Sequence, residues 1–77
     1  MSNFKPSCLV GKETRTFKTY TELKKNIPTM FKEQVEEHRQ LELHVSRSKR
    51  GEWGEWFEVW KLNHSTNKLY IDRQGWM

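Results

Sequence analysis

Between Trp53 and Leu62 large apolar residues occupy both parities of an alternating run, and no single covering layer can bury both. Successive side chains of a strand point to opposite faces. One face therefore shows Trp53, Glu55, Phe57, Val59 and Lys61, and the other Gly54, Trp56, Glu58, Trp60 and Leu62. A two-layer sheet with one solvated side should alternate cleanly between apolar and polar, and this run does not. Either a second segment covers the far face, or part of the aromatic surface stays open to a partner.

The rest of the chain supplies one helix. "TYTE", Thr19 to Glu22, fits a capping box, in which the Thr19 hydroxyl accepts from the Glu22 amide. Tyr20, Leu23, Ile27, Met30, Phe31 and Val35 then recur at spacings of three and four, which places them on one helical face. Pro28 falls inside that run, where a proline removes one hydrogen bond and clashes with the preceding turn. The sequence predicts a kinked or broken helix, interrupted near Asn26, with Pro28 opening its second part.

From Leu41 the period changes to two. Leu41, Leu43 and Val45 alternate with Glu42, His44 and Ser46, "SRSKRGE" makes a polar connection, and the aromatic run follows. "NHSTN", Asn63 to Asn67, is a second turn, and Lys68 to Asp72 a third strand followed by a short tail. Phe4 to Val10 contains Pro6, which suits an edge strand or irregular arm, Gly11 to Glu13 is a turn candidate, and Thr14 to Lys18, polar and β-branched, reads as a weak strand. The expected fold is α+β: a single domain over residues 1–77, one amphipathic helix on a three-stranded antiparallel sheet, with a short N-terminal edge strand as an addition. The helix is expected to pack on Leu43, Val45, Phe57 and Val59.

At 77 residues, with 34% hydrophobic and 13% aromatic, each large side chain has to bury much of its surface. Aromatics do this best, at ~150–250 Å² each. Core duty and partner duty thus compete for the same tryptophans. Trp56 and Trp60, flanking Glu58 on one face, are the candidates for partner contact, with Trp76 expected to close over the same surface.

Catalytic and metal chemistry find no pattern. Cys8 is the only cysteine, with no motif linking it to His38, His44 or His64. Those four residues show none of the close-spaced ligand pairs of zinc sites. The glycines are dispersed and form no phosphate-binding loop, and the carboxylates are interleaved with lysines or aromatics rather than paired for acid/base work. No enzyme, cofactor or metal is expected. No apolar run approaches the ~20 residues of a membrane helix, and the N-terminus lacks the features of a secretory signal. The expectation is a cytoplasmic protein without membrane contact.

The net charge of +4 is diffuse: residues 1–40 carry eight Lys/Arg against five acids, and residues 41–77 six against five. The local exception is "RSKR", with Arg47, Lys49 and Arg50. Aromatics framed by both signs of charge favour a protein-binding module. The expected function is that of a small regulatory protein, an adaptor or inhibitor of the sort phages and mobile elements encode, gripping a larger protein through Trp56, Trp60, Glu58, Tyr70, Arg47, Lys49 and Arg50. The alternative is nucleic-acid binding, with the basic hairpin on phosphates and the aromatics stacked on bases. Against it, Glu52, Glu55 and Glu58 lie among those aromatics and would repel a phosphate backbone. An exposed strip would also serve self-association.

Overall fold

A computed structural model describes residues 5–47 and 55–76. Lys49, Arg50 and Trp53 lie outside the described residues. The element order is β1 (Ser7–Val10), β2 (Glu13–Thr16), α1 (Tyr20–His38), β3 (Leu43–Arg47), β4 (Trp56–Asn63) and β5 (Lys68–Trp76). The strands form one antiparallel sheet in the order β2-β1-β3-β4-β5. The α+β class agrees with the sequence expectation, but the sheet has five strands rather than three.

The two added strands come from the N-terminal segment. Pro6 precedes β1 instead of interrupting it, and its carbonyl accepts from Phe17 N at 2.8 Å. With the proline outside the ladder, β1 pairs on both sides, so it is an interior strand and not the expected edge. Gly11 closes the β1–β2 turn at φ +63, and a side chain there would run into the His38 ring at 2.4 Å. Only glycine meets both conditions.

α1 is one continuous helix, contrary to the expected break. Thr19 Oγ1 accepts from Glu22 N at 3.1 Å, as the capping box requires. Pro28 lies on the exposed side, where solvent can take over the carbonyl it frees. Leu23, Ile27, Met30 and Phe31 are buried, as their spacing predicts. At the C-terminus Arg39 adopts a left-handed conformation, and Gln40 N bonds Gln34 O at 3.1 Å.

The connectivity decides what the helix covers. β2 and β3 both run antiparallel to β1, so they are parallel to one another, and parallel strands need a long crossover. α1 is that crossover. It carries the chain from the β2 edge back across β1 and packs on β1 and β3. Cys8, Val10, Leu43 and Val45 form the floor beneath Leu23, Ile27, Met30 and Phe31. The buried Gln34 ties down both ends of the arrangement, accepting from Gly11 N at 2.7 Å and donating to the Glu42 carbonyl at 3.0 Å.

Cross-strand register fixes the faces. Leu43 stands opposite Trp60, Val45 opposite Glu58 and Arg47 opposite Trp56. The helix therefore covers the face of Trp56, Glu58, Trp60 and Leu62. Phe57 and Val59, expected beneath the helix, point to the other side of the sheet. Val59 is nonetheless buried, flanked by His44 and Arg73 in register. β5 continues through the expected tail to Trp76, and Asp72 is an extra residue where Val59 pairs with Arg73 and Trp60 with Ile71.

Candidate functional site

The helix-side face is built in rows. Arg47, Trp56 and Trp76 lie side by side across β3, β4 and β5, then Val45, Glu58 and Gln74, then Leu43, Trp60 and Ile71, with Leu62 and Leu69 beyond. α1 sits over the β1–β3 end of these rows. Toward β5 the cover thins: Trp56, Trp60, Leu62, Leu69 and Ile71 are half-buried, and Trp76 is 45% exposed. The rings of Trp56 and Trp76 meet edge to face at a centroid distance of 5.0 Å. Trp76 thus joins the Trp56 surface, as expected from the sequence.

Glu58 does not take part as a surface group. It is 1% exposed, and its expected place in an open grip is corrected by the donors gathered around it. Tyr20 Oη donates to Oε1 at 2.5 Å, Trp60 Nε1 donates to the same oxygen at 3.1 Å, and Arg47 Nε donates to Oε2 at 3.2 Å. The Arg47 guanidinium also lies 4.0 Å from the Tyr20 ring centroid. A carboxylate can be buried only when paired and hydrogen-bonded, and here one arginine and two neutral donors meet that condition. The network pins the first turn of α1 to the sheet beside the aromatic margin.

This network was not read from the sequence, because it depends on the β3–β4 register across a connection whose length does not fix it. The one available signal was an isolated glutamate between two tryptophans, which read as a solvated charge. Arg47, expected at a hairpin tip and free for phosphate, is the last residue of β3, 25% exposed and turned toward Glu58. Tyr70 lies on the opposite face from Trp56 and Trp60, since it pairs with Lys61 while Trp60 pairs with Ile71. It is 41% exposed. The structure therefore brings Trp56, Trp60, Glu58 and Arg47 together and separates Tyr70 from them.

The outer face is mixed. Leu9, Phe57, Ser7, Thr14, His44 and Ser46 line a shallow depression. Beside it, Glu42 accepts from Arg73 at 3.2 Å and lies 3.4 Å from Lys61 and 3.3 Å from His44, while Asp72 lies 3.4 Å from Lys61. Such exposed pairs contribute little individually. A further charged group, Glu33, Glu37 and His38, brings its ligand atoms within 4.8 Å of one another. Arg15 already holds both oxygens of Glu33, at 2.7 and 2.6 Å, and keeps that carboxyl below its usual range. The group is a surface ion-pair cluster.

Two buried protons have a stability consequence. Burial pushes the Cys8 thiol up to about 12, opposed weakly by Arg15, and burial together with the bond to Glu58 pushes the Tyr20 phenol up. Both groups are held neutral in the folded state. Their contribution is complete below the unfolded values, ~8.5 for a thiol and ~10 for a phenol, and is lost as pH rises toward the folded ones. Thermal melts between about pH 7 and about pH 11 should show a midpoint that falls above about pH 9, with a shallower early fall in Cys8→Ala. A midpoint independent of pH across that window would mean that neither group is shifted.

No family model matches the chain, and no curated protein or solved structure is similar to it at a level that would show a relationship. Among the described residues no helix is long and apolar enough to cross a membrane.

Proposed function

We propose that this chain is a small, non-enzymatic binding protein that modulates a larger protein, as an adaptor or inhibitor, through the aromatic margin of β4 and β5. The observation that carries the reading is the incomplete cover: α1 packs on β1 and β3, and the same sheet face continues beyond it as Trp56, Trp60, Ile71 and Trp76. Tryptophans that are packed at the base and open at the edge are favourable anchors, because little side-chain entropy remains to be lost on binding. The Arg47–Glu58–Tyr20 network lies beside the margin on the same face and ties Trp60, one of its rings, to the anchored first turn of α1.

Nucleic-acid binding is the weaker reading. Arg47 is committed to Glu58 and Tyr20 rather than directed toward a phosphate, and the acidic Glu42 and Asp72 neutralise the cations of the outer face. Capture from native lysate, with and without nuclease, separates the two. A protein retained after nuclease by the native chain, and lost by Trp76→Thr, is the expected result. Retention that vanishes with nuclease would overturn the protein-binding reading in favour of nucleic acid.

A further inference from the structure

β5 is the longest strand, with nine residues, and among the described residues nothing pairs with its outer side. Of the four exposed large apolar residues among the described residues, two, Tyr70 and Trp76, lie on it. An edge of this kind is a template for another strand.

Faces along β5 are set by its pairing with β4. Leu69, Ile71, Gln74 and Trp76 share the helix side; Tyr70, Arg73 and Gly75 share the outer side. Asp72, the extra residue, approaches Lys61 at 3.4 Å and thus also turns to the outer side. The bulge therefore reverses the alternation in mid-strand: the helix-side residues are 69 and 71 before it and 74 and 76 after it.

That reversal selects one antiparallel register of β5 against itself. With a two-fold axis between Asp72 and Arg73, Leu69 meets Trp76 of the second copy, Ile71 meets Gln74, Tyr70 meets Gly75 and Asp72 meets Arg73. Each of these pairs lies on a single face. A shift of one residue either way sets Ile71 against Arg73 or Gly75, which are on the wrong face. The chemistry agrees with the geometry. The central pairs are opposite charges, occurring twice by symmetry, so that the 3.5 Å contact between Asp72 and Arg73 within one chain is exchanged for two contacts between copies. Gly75, whose outer surface meets only the Phe57 ring, at 3.5 Å, among the described residues, would receive Tyr70 from the second copy. Charges and bulges often protect an edge from pairing, but here the two charges are adjacent and opposite, so the two-fold converts them into attraction.

We propose that two copies of this chain associate edge to edge along β5 in this register, joining two five-stranded sheets into one. A closed two-fold contact uses the same strand twice and leaves no β5 edge free. It would also run the aromatic margins of the two copies together on one side, Trp76 of each lying beside Leu69 of the other. The inference stands on β5 alone and does not require the partner reading above.

The test is the mass in solution, by light scattering or sedimentation, across a wide range of concentration. The native chain should reach twice its monomer mass. Asp72→Arg and Arg73→Asp each place like charges at both central positions and should be monomeric where the native chain is dimeric. Mixing the two variants restores opposite charges at both positions and should restore the dimer mass, which also shows that each variant is folded. A native chain that stays monomeric at every concentration, or a dimer indifferent to both substitutions, would overturn the proposal. Because Trp76 is untouched in these variants, loss of the dimer and loss of partner capture are read separately.

Discussion

Phe31→Ala is expected to cost about 3–5 kcal/mol, a large share of the ~4–12 kcal/mol that a chain of this length holds. Phe31 is buried in the helix face that packs over Cys8, Val10, Leu43 and Val45. The cost has two parts, the lost transfer energy of the ring and the cavity left behind, and a core built from one helix and one sheet has few side chains able to move into the gap. In a domain of this size each kcal/mol lowers the melting midpoint by ~4–8 °C, so the variant should be largely unfolded well below the native midpoint. A denaturant titration giving a loss below ~1 kcal/mol would mean that the helix face has been misassigned.

Glu58→Ala should be nearly as damaging, at about 3 kcal/mol, for a different reason. The substitution removes the common acceptor of Tyr20, Trp60 and Arg47, leaving three donors without their partner beneath the first turn of α1. An unmade buried hydrogen bond costs more than a formed one contributes. Arg47 keeps some access to water, so the penalty for its charge is less than that of a fully buried cation. A double-mutant cycle with Arg47→Ala isolates the ion pair, and the coupling should be clearly favourable. Denaturant midpoints for Glu58→Ala within error of the native chain would contradict a network that holds the helix to the sheet.

The helix and the turn were legible because their signals are local. The Thr19 cap, the spacing of Leu23 to Val35, and the Asn63 to Asn67 turn each depend on residues a few positions apart. In that turn, Asn63 Oδ1 accepts from Ser65 N at 2.9 Å and Asn67 takes a left-handed φ of 56. Alternation in β4 was equally readable, since strand parity needs no partner. Which face the helix would cover was not readable. That choice follows from the β3–β4 register and from the crossover over β1, both of which depend on contacts far apart in sequence. β1 and β2 are four residues each, too short for alternation to fix their place in the sheet: Thr14 to Lys18 read only as a weak strand, and Pro6 suggested an edge strand or arm, because its position just ahead of β1 mattered more than its presence. Pro28 misled in the opposite sense: on the solvent side of a packed helix, tertiary contacts at Ile27, Met30 and Phe31 outweigh a single lost bond.

The candidate site followed the same division. Trp56 and Trp60 were picked out by parity and do share one face, and Trp76, expected only as a cover from the tail, joins them as part of β5. Glu58 was placed on their face by the same parity and lies there, but buried, while Tyr70 on β5 is turned to the opposite face. What sets the half-buried Trp56 and Trp60 apart from a fully buried core is their place toward β5, away from α1, a quantity that the sequence does not carry.

The binding surface we propose is the helix-side margin of β4 and β5 and not the outer face. It is tested most directly by calorimetric affinity for the captured partner, comparing the native chain with Trp76→Thr and with Tyr70→Thr, folding being checked on the same samples by circular dichroism. Threonine keeps strand propensity at both positions. Trp76→Thr should weaken binding by about 2–4 kcal/mol while remaining folded, and Tyr70→Thr should leave the affinity unchanged. Equal affinity of native and Trp76→Thr chains, or a loss confined to Tyr70→Thr, would put the binding surface on the outer face or elsewhere.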